Sequence, residues 1–86
     1  MNEVDTLSTR ADLSLISADI AIARLKGSEF EMEQATRRYV NRLRTAVDKG
    51  FDKKEARRLL TDLASDDVAD CAVCVDLLDR ERENLS

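Results

Sequence analysis

Apolar residues recur at helical spacing along nearly the whole chain, and the first stretch carries them twice. A helix predicted over residues 8–26 places Leu13, Ile16, Ile20 and Ala23 on one stripe. Leu7, Ala11, Leu15, Ala18, Ile22 and Leu25 form a second stripe. At about 100° per residue the two stripes lie on nearly opposite sides of the helix. A surface helix needs only one. Two predict either a helix sandwiched between others or one whose second face meets a partner. Residues 1–6 read as a polar leader.

Gly27 is placed to end this helix in the left-handed conformation. Ser28, with Glu31 three residues on, forms a capping box that opens a second helix over 29–49. Met32, Ala35, Tyr39, Leu43 and Ala46 line its apolar face, widened by Val40 and Val47, and Gly50 closes it. Asp52 and Glu55 repeat the capping signature, with Phe51 and Ala56 as the flanking hydrophobic staple. The third helix, over 53–64, carries Ala56, Leu59, Leu60 and Leu63 on one face. Ser65-Asp66-Asp67 is read as the cap of a fourth helix over 66–83, with Cys71, Cys74, Val75 and Leu78 inward and Leu85 if the helix extends. No glycine or proline marks the junction, so a bent single helix over 53–83 is the alternative. The predicted fold is all-α, a three- or four-helix bundle or hairpin in one domain.

Size and composition bound the rest. A chain of 86 residues buries only roughly 60–65% of its unfolded surface, so partner binding can supply real stability. With 43% apolar and 37% charged residues the chain is neither disordered in type nor a membrane protein. The expected setting is a reducing, cytoplasmic one, since two cysteines do not make a disulfide framework.

Charge is strongly ordered along the sequence. Residues 1–34 hold three basic and seven acidic side chains, residues 35–58 nine basic and three acidic, and residues 59–86 two basic and eight acidic. The net charge of −4 conceals a basic centre between acidic ends. Arg37, Arg38, Arg42 and Arg44 belong to the second helix, where Arg37 and Arg44 fall on one flank of the apolar face and Arg38 and Arg42 on the other. Lys53, Lys54, Arg57 and Arg58 cover the outside of the third.

Little here points to catalysis. The chain has no histidine, the usual acid–base group near neutral pH and the commonest metal ligand. No phosphate-binding loop, calcium loop or nucleotide fingerprint is present. Cys71-Ala-Val-Cys74 has the spacing of a redox dithiol. In a helix starting at residue 66, however, Cys71 would lie more than a turn inside, away from the dipole that lowers a thiolate's pKa. A zinc site would need two more ligands. Small buried hydrophobes are therefore the expected role of the pair, with an intersubunit metal or disulfide and redox catalysis as alternatives.

Gly50-Phe51, Glu55-Ala56, Leu59-Leu60, Val68, Ala72 and Leu77-Leu78 loosely resemble the ubiquitin-associated three-helix domain over about 35 residues. The resemblance implies a docking module with Phe51 partly exposed. Lys49 stands where that family has Met, and Ser65-Asp66-Asp67 replaces its glycine-bearing second loop.

These readings converge on a non-enzymatic adaptor, small chaperone or inhibitor, without cofactor or metal. The expected contact uses Leu15, Ile22 and Leu25 with Arg37, Arg38, Arg42 and Arg44. Apolar burial would give affinity and the arginines would orient an acidic protein partner. A homodimer through the same stripe is equally compatible. The rival is a dimeric nucleic-acid-binding regulator using Arg37, Arg38, Arg42, Lys53, Lys54, Arg57 and Arg58. Against it stand the acidic flanks and a third helix whose outer face lacks base-reading side chains.

Overall fold

Asn2 starts the first helix. Its Oδ1 accepts the Asp5 backbone N–H at 2.8 Å, and α1 then runs Glu3–Leu25 in the computed structural model, which describes residues 1–85. The polar leader expected over residues 1–6 is thus corrected. Asn2 is a strong N-cap, and Glu3 and Asp5 suit the positive end of the helix dipole. Helices α2 (Glu29–Asp48), α3 (Lys53–Asp66) and α4 (Ala72–Asn84) follow, so the described residues form an all-α bundle of four helices.

Both glycine turns are Schellman motifs. At the end of α1 the Ser28 N–H donates to Ala23 O and the Gly27 N–H to Arg24 O, with Gly27 at φ 70°. Phe51 and Gly50 repeat the pattern on Ala46 and Val47. The expected N-caps of α2 and α3 also form, from Ser28 to the Glu31 N–H and from Asp52 to the Glu55 N–H. Phe51 is buried just before α3, packed as a staple, which corrects the partly exposed Phe51 implied by the ubiquitin-associated resemblance.

The α3–α4 junction differs most from expectation. Helix α3 continues to Asp66, and α4 starts at Ala72 instead of near residue 66. Between them the Val68 N–H donates to Leu63 O and the Cys71 N–H to Val68 O, folding a tight turn over the fully buried Val68. Burial of that one valine supplies what the absent glycine or proline would have signalled. Arg24 of α1 donates to Asp66 O at 3.2 Å, placing a cation at the carbonyl end of α3.

The helices run up, down, up, down. Arg42 and Arg38 reach back to Asp12 and Asp19, setting α2 antiparallel to α1. Arg10 meets Glu55 while Arg24 meets the far end of α3, so α3 runs parallel to α1. Arg57 donates to Leu85 O and Arg82 to Thr61 Oγ1, returning α4 along α3. The centre belongs to α2, whose Met32, Ala35, Thr36, Tyr39, Val40, Leu43 and Ala46 are all buried. Helix α1 packs chiefly on α2 alone, while α4 packs on both α2 and α3. The molecule measures 38 × 24 × 17 Å, thin enough that every helix keeps an outer side.

Candidate interaction surface

Leu13, Ile20 and Ala23 are buried against α2 with Ile16 half-buried beside them, as the first apolar stripe predicts. The second stripe faces solvent. Leu15 is 69% exposed, Ile22 50% and Leu25 88%, and Val4 and Leu7 lengthen the exposed row. The sandwiched alternative for α1 is thereby excluded within the monomer. Phe30, in the first turn of α2, is 72% exposed and shares a shallow recess with Ile22 and Arg38. Sequence reasoning missed Phe30 and Val4. The signal was available in both cases: Phe30 is apolar but out of phase with the inward face of α2, and Val4 continues the outward row of α1.

Ion pairs rim this row on both sides. Toward α2, Arg38 Nη2 lies 3.3 Å from Asp19 Oδ2, and Arg42 Nε lies 3.0 Å from Asp12 Oδ2. The same Arg42 donates to Oγ1 of the buried Thr9 at 3.3 Å. Toward α3, Arg10 grips Glu55 through two bonds of 2.8 Å. That hydrogen bonding holds the Glu55 carboxyl below its ordinary value of 4.5 against the opposing effect of burial.

The four arginines predicted to share one surface divide between two. Arg38 and Arg42 stand beside α1. Arg37 pairs with Glu33 on its own helix, and Arg44 turns to α4. Arg44 Nη2 lies 2.6 Å from Glu81 Oε1 and Nε 3.3 Å from Oε2, closing a bidentate pair on a carboxylate that is 2% exposed. Bonding to Glu81 raises the guanidinium further above its usual range. The splitting of these arginines onto two flanks of α2 follows the sequence reading, but all four already hold a carboxylate of the same chain.

The rival basic set divides as well. Arg57 is half-buried and donates to Leu85 O. Lys53, Lys54 and Arg58 are exposed and form no ion pair among the described residues.

A cleft of about 560 Å³ separates α1 from α3. Arg10 and Glu55 close one end, Ser14 and Ala18 form the α1 wall, Leu59 the α3 wall, and Tyr39 the floor. Burial, then Asp67 and Asp62, push the Tyr39 phenol up to about 12, so it stays protonated at neutral pH.

Cys71 and Cys74 are buried, as expected of core hydrophobes, but they are not free: a disulfide joins them. The physical reason is the late start of α4. Cys71 becomes its N-cap with extended backbone (φ −108°, ψ 97°), which turns the side chain toward Cys74 one turn on, at a Cα–Cα distance of 5.2 Å. Among the described residues no group of three or more Cys, Asp or Glu is arranged to hold a metal ion. No described helix is long and apolar enough to cross a membrane. Compared with known proteins, the chain matches no family model, no curated protein and no solved structure.

Proposed function

We propose that this chain is a non-enzymatic protein–protein interaction module, an adaptor, small chaperone or inhibitor, which binds another protein through the outward stripe of α1. One observation carries the reading: a continuous exposed apolar row lies directly opposite the face that α1 uses for folding. Contiguous apolar surface of this kind marks interaction sites in soluble proteins. Leu15, Ile22 and Leu25 supply the buried anchors, with Phe30 at one end. Arg38 and Arg42 rim the contact, and an acidic partner would have to compete with Asp19 and Asp12 for them.

Leu15→Asp tests the reading. Because Leu15 touches water rather than core, the variant keeps the helical circular dichroism of the parent and loses binding to a partner or to itself. Loss of helicity would make the outward stripe part of the fold and overturn the proposal.

Lys53, Lys54 and Arg58 keep a nucleic-acid reading in play, since exposed cations without ion pairs can neutralise phosphates. Titration against generic duplex DNA decides it: micromolar binding that weakens steeply with salt supports it, and no binding at low salt ends it. The Cys71–Cys74 disulfide counts against a reducing, cytoplasmic setting. Alkylating the cysteines at the moment of lysis decides it: a dithiol supports that setting and a retained disulfide overturns it.

A further inference from the structure

The outward row of α1 reads nearly the same from either end. Val4 and Leu25 terminate it, Leu7 and Ile22 stand one step inside, and Ala11 and Ala18 flank the middle. Each pair is equidistant from a point between Ser14 and Leu15. A second α1 laid antiparallel across the first at that register sets large against large at both ends. It sets Leu15 beside Leu15 of the other copy at the crossing point, with Ala11 against Ala18 on either side of it.

Charge follows the same register. About the two-fold axis each flank of α1 meets the same flank of the other copy, so Asp5 falls within a turn of the other copy's Lys26 and Glu3 within a turn of its Arg24. Asp12 and Asp19, which come within a turn of one another across the seam, are each already paired with Arg42 and Arg38. Antiparallel helix dipoles add to the preference.

From this self-complementarity we infer that the occupant of the α1 stripe is a second copy of the same chain, docked antiparallel about a two-fold axis between Ser14 and Leu15. The inference rests on the stripe being a binding surface, as proposed above. The row from Val4 to Leu25 is about 32 Å long at 1.5 Å per residue, close to the full 38 Å of the molecule. Two such helices bury on the order of 1,000 Å² in total, short of the roughly 1,200 Å² of stable complexes, so the dimer is a weak one that fills with rising concentration. A two-fold contact is isologous and closes on itself, so association stops at the dimer.

Sedimentation equilibrium and paired cysteine variants test this. Expected results are a mass twice the 9.7 kDa of the chain, return to the single mass in Leu15→Asp with helicity intact, and rapid cross-linking of Leu15→Cys under mild oxidation. Val4→Cys should not cross-link alone but should when mixed with Leu25→Cys. Cross-linking of Val4→Cys alone would mean a parallel pair and overturn the geometry. A monomeric mass at every concentration overturns the second copy as occupant. If that monomer still binds a different protein or a lipid vesicle and Leu15→Asp stops it, the fault lies with the occupant and not the surface. If Leu15→Asp changes nothing measured, the surface reading falls too.

Discussion

Arg44 on α2 and Glu81 on α4 form a two-pronged ion pair whose carboxylate is almost wholly buried while its guanidinium stays half in water. The pair ties the last helix to the central one.

Removing only the arginine therefore strands a buried charge. Arg44→Ala is expected to destabilise the fold by about 2–3 kcal/mol, below the full buried-pair penalty because water reaches the arginine side. Arg44→Met combined with Glu81→Leu should recover most of that loss. Urea denaturation of the single and double variants measures the coupling, and an unchanged midpoint in Arg44→Ala would show the pair to be energetically silent.

Tyr39 is the single tyrosine of the chain, so phenolate absorbance reports it alone. Its ionisation is expected near 12 in the folded protein and near the ordinary 10 in urea. A raised folded value means that the folded state holds the proton more tightly. The associated stability is complete below about pH 10 and is lost as pH rises through 12. A folded-state midpoint near 10 would place the hydroxyl in open solvent.

Thr36 is fully buried on α2 and its Oγ1 finds no hydrogen-bond partner among the described residues. Thr36→Val keeps the shape and removes the desolvated hydroxyl, so it is expected to stabilise by about 0.5–1 kcal/mol. Destabilisation on thermal melting would mean that the hydroxyl is satisfied after all.

These residues mark the boundary of what could be read without coordinates. The inward faces of all four helices were legible because burial on a helix imposes a period, and Leu13, Ile20, Leu43, Leu60 and Leu78 obey it. The two-sided character of α1 was legible for the same reason. The start of α1 rests on one side-chain cap, Asn2 to the Asp5 N–H, which a short polar stretch of sequence does not single out. The α3–α4 turn has no local signature, only the tertiary burial of Val68. Arginine pairing was beyond reach in another way: a sequence gives the sign of a charge but not which carboxylate lies 3 Å away. Glu81 sits in a run of alternating charges and is the one acid there that is buried.

The Cys71–Cys74 bond closes a very short loop, so its stabilisation is at the low end for disulfides, about 2 kcal/mol by chain entropy. Reduction should lower the urea midpoint accordingly and loosen the first turn of α4, where Cys71 offers no side-chain cap hydrogen bond. Cys71→Ser with Cys74→Ala removes the sensitivity to reductant and puts a hydroxyl at the cap position. If reductant leaves the parent unchanged, the bond contributes nothing to stability.

Helix α1 makes the most extensive contact of the bundle, along α2, and is tied to α3 by Arg10–Glu55 and Arg24–Asp66. It cannot lift without baring the inward face of α2, so these two helices form one opening unit. In amide hydrogen exchange the inner positions of α1, such as Leu13 and Ile20, are expected to exchange together with the amides at the centre of α2. A molecule bound to the outside of α1 would slow exchange along the whole helix, so occupancy of one face would be recorded at amides on the other that it never touches.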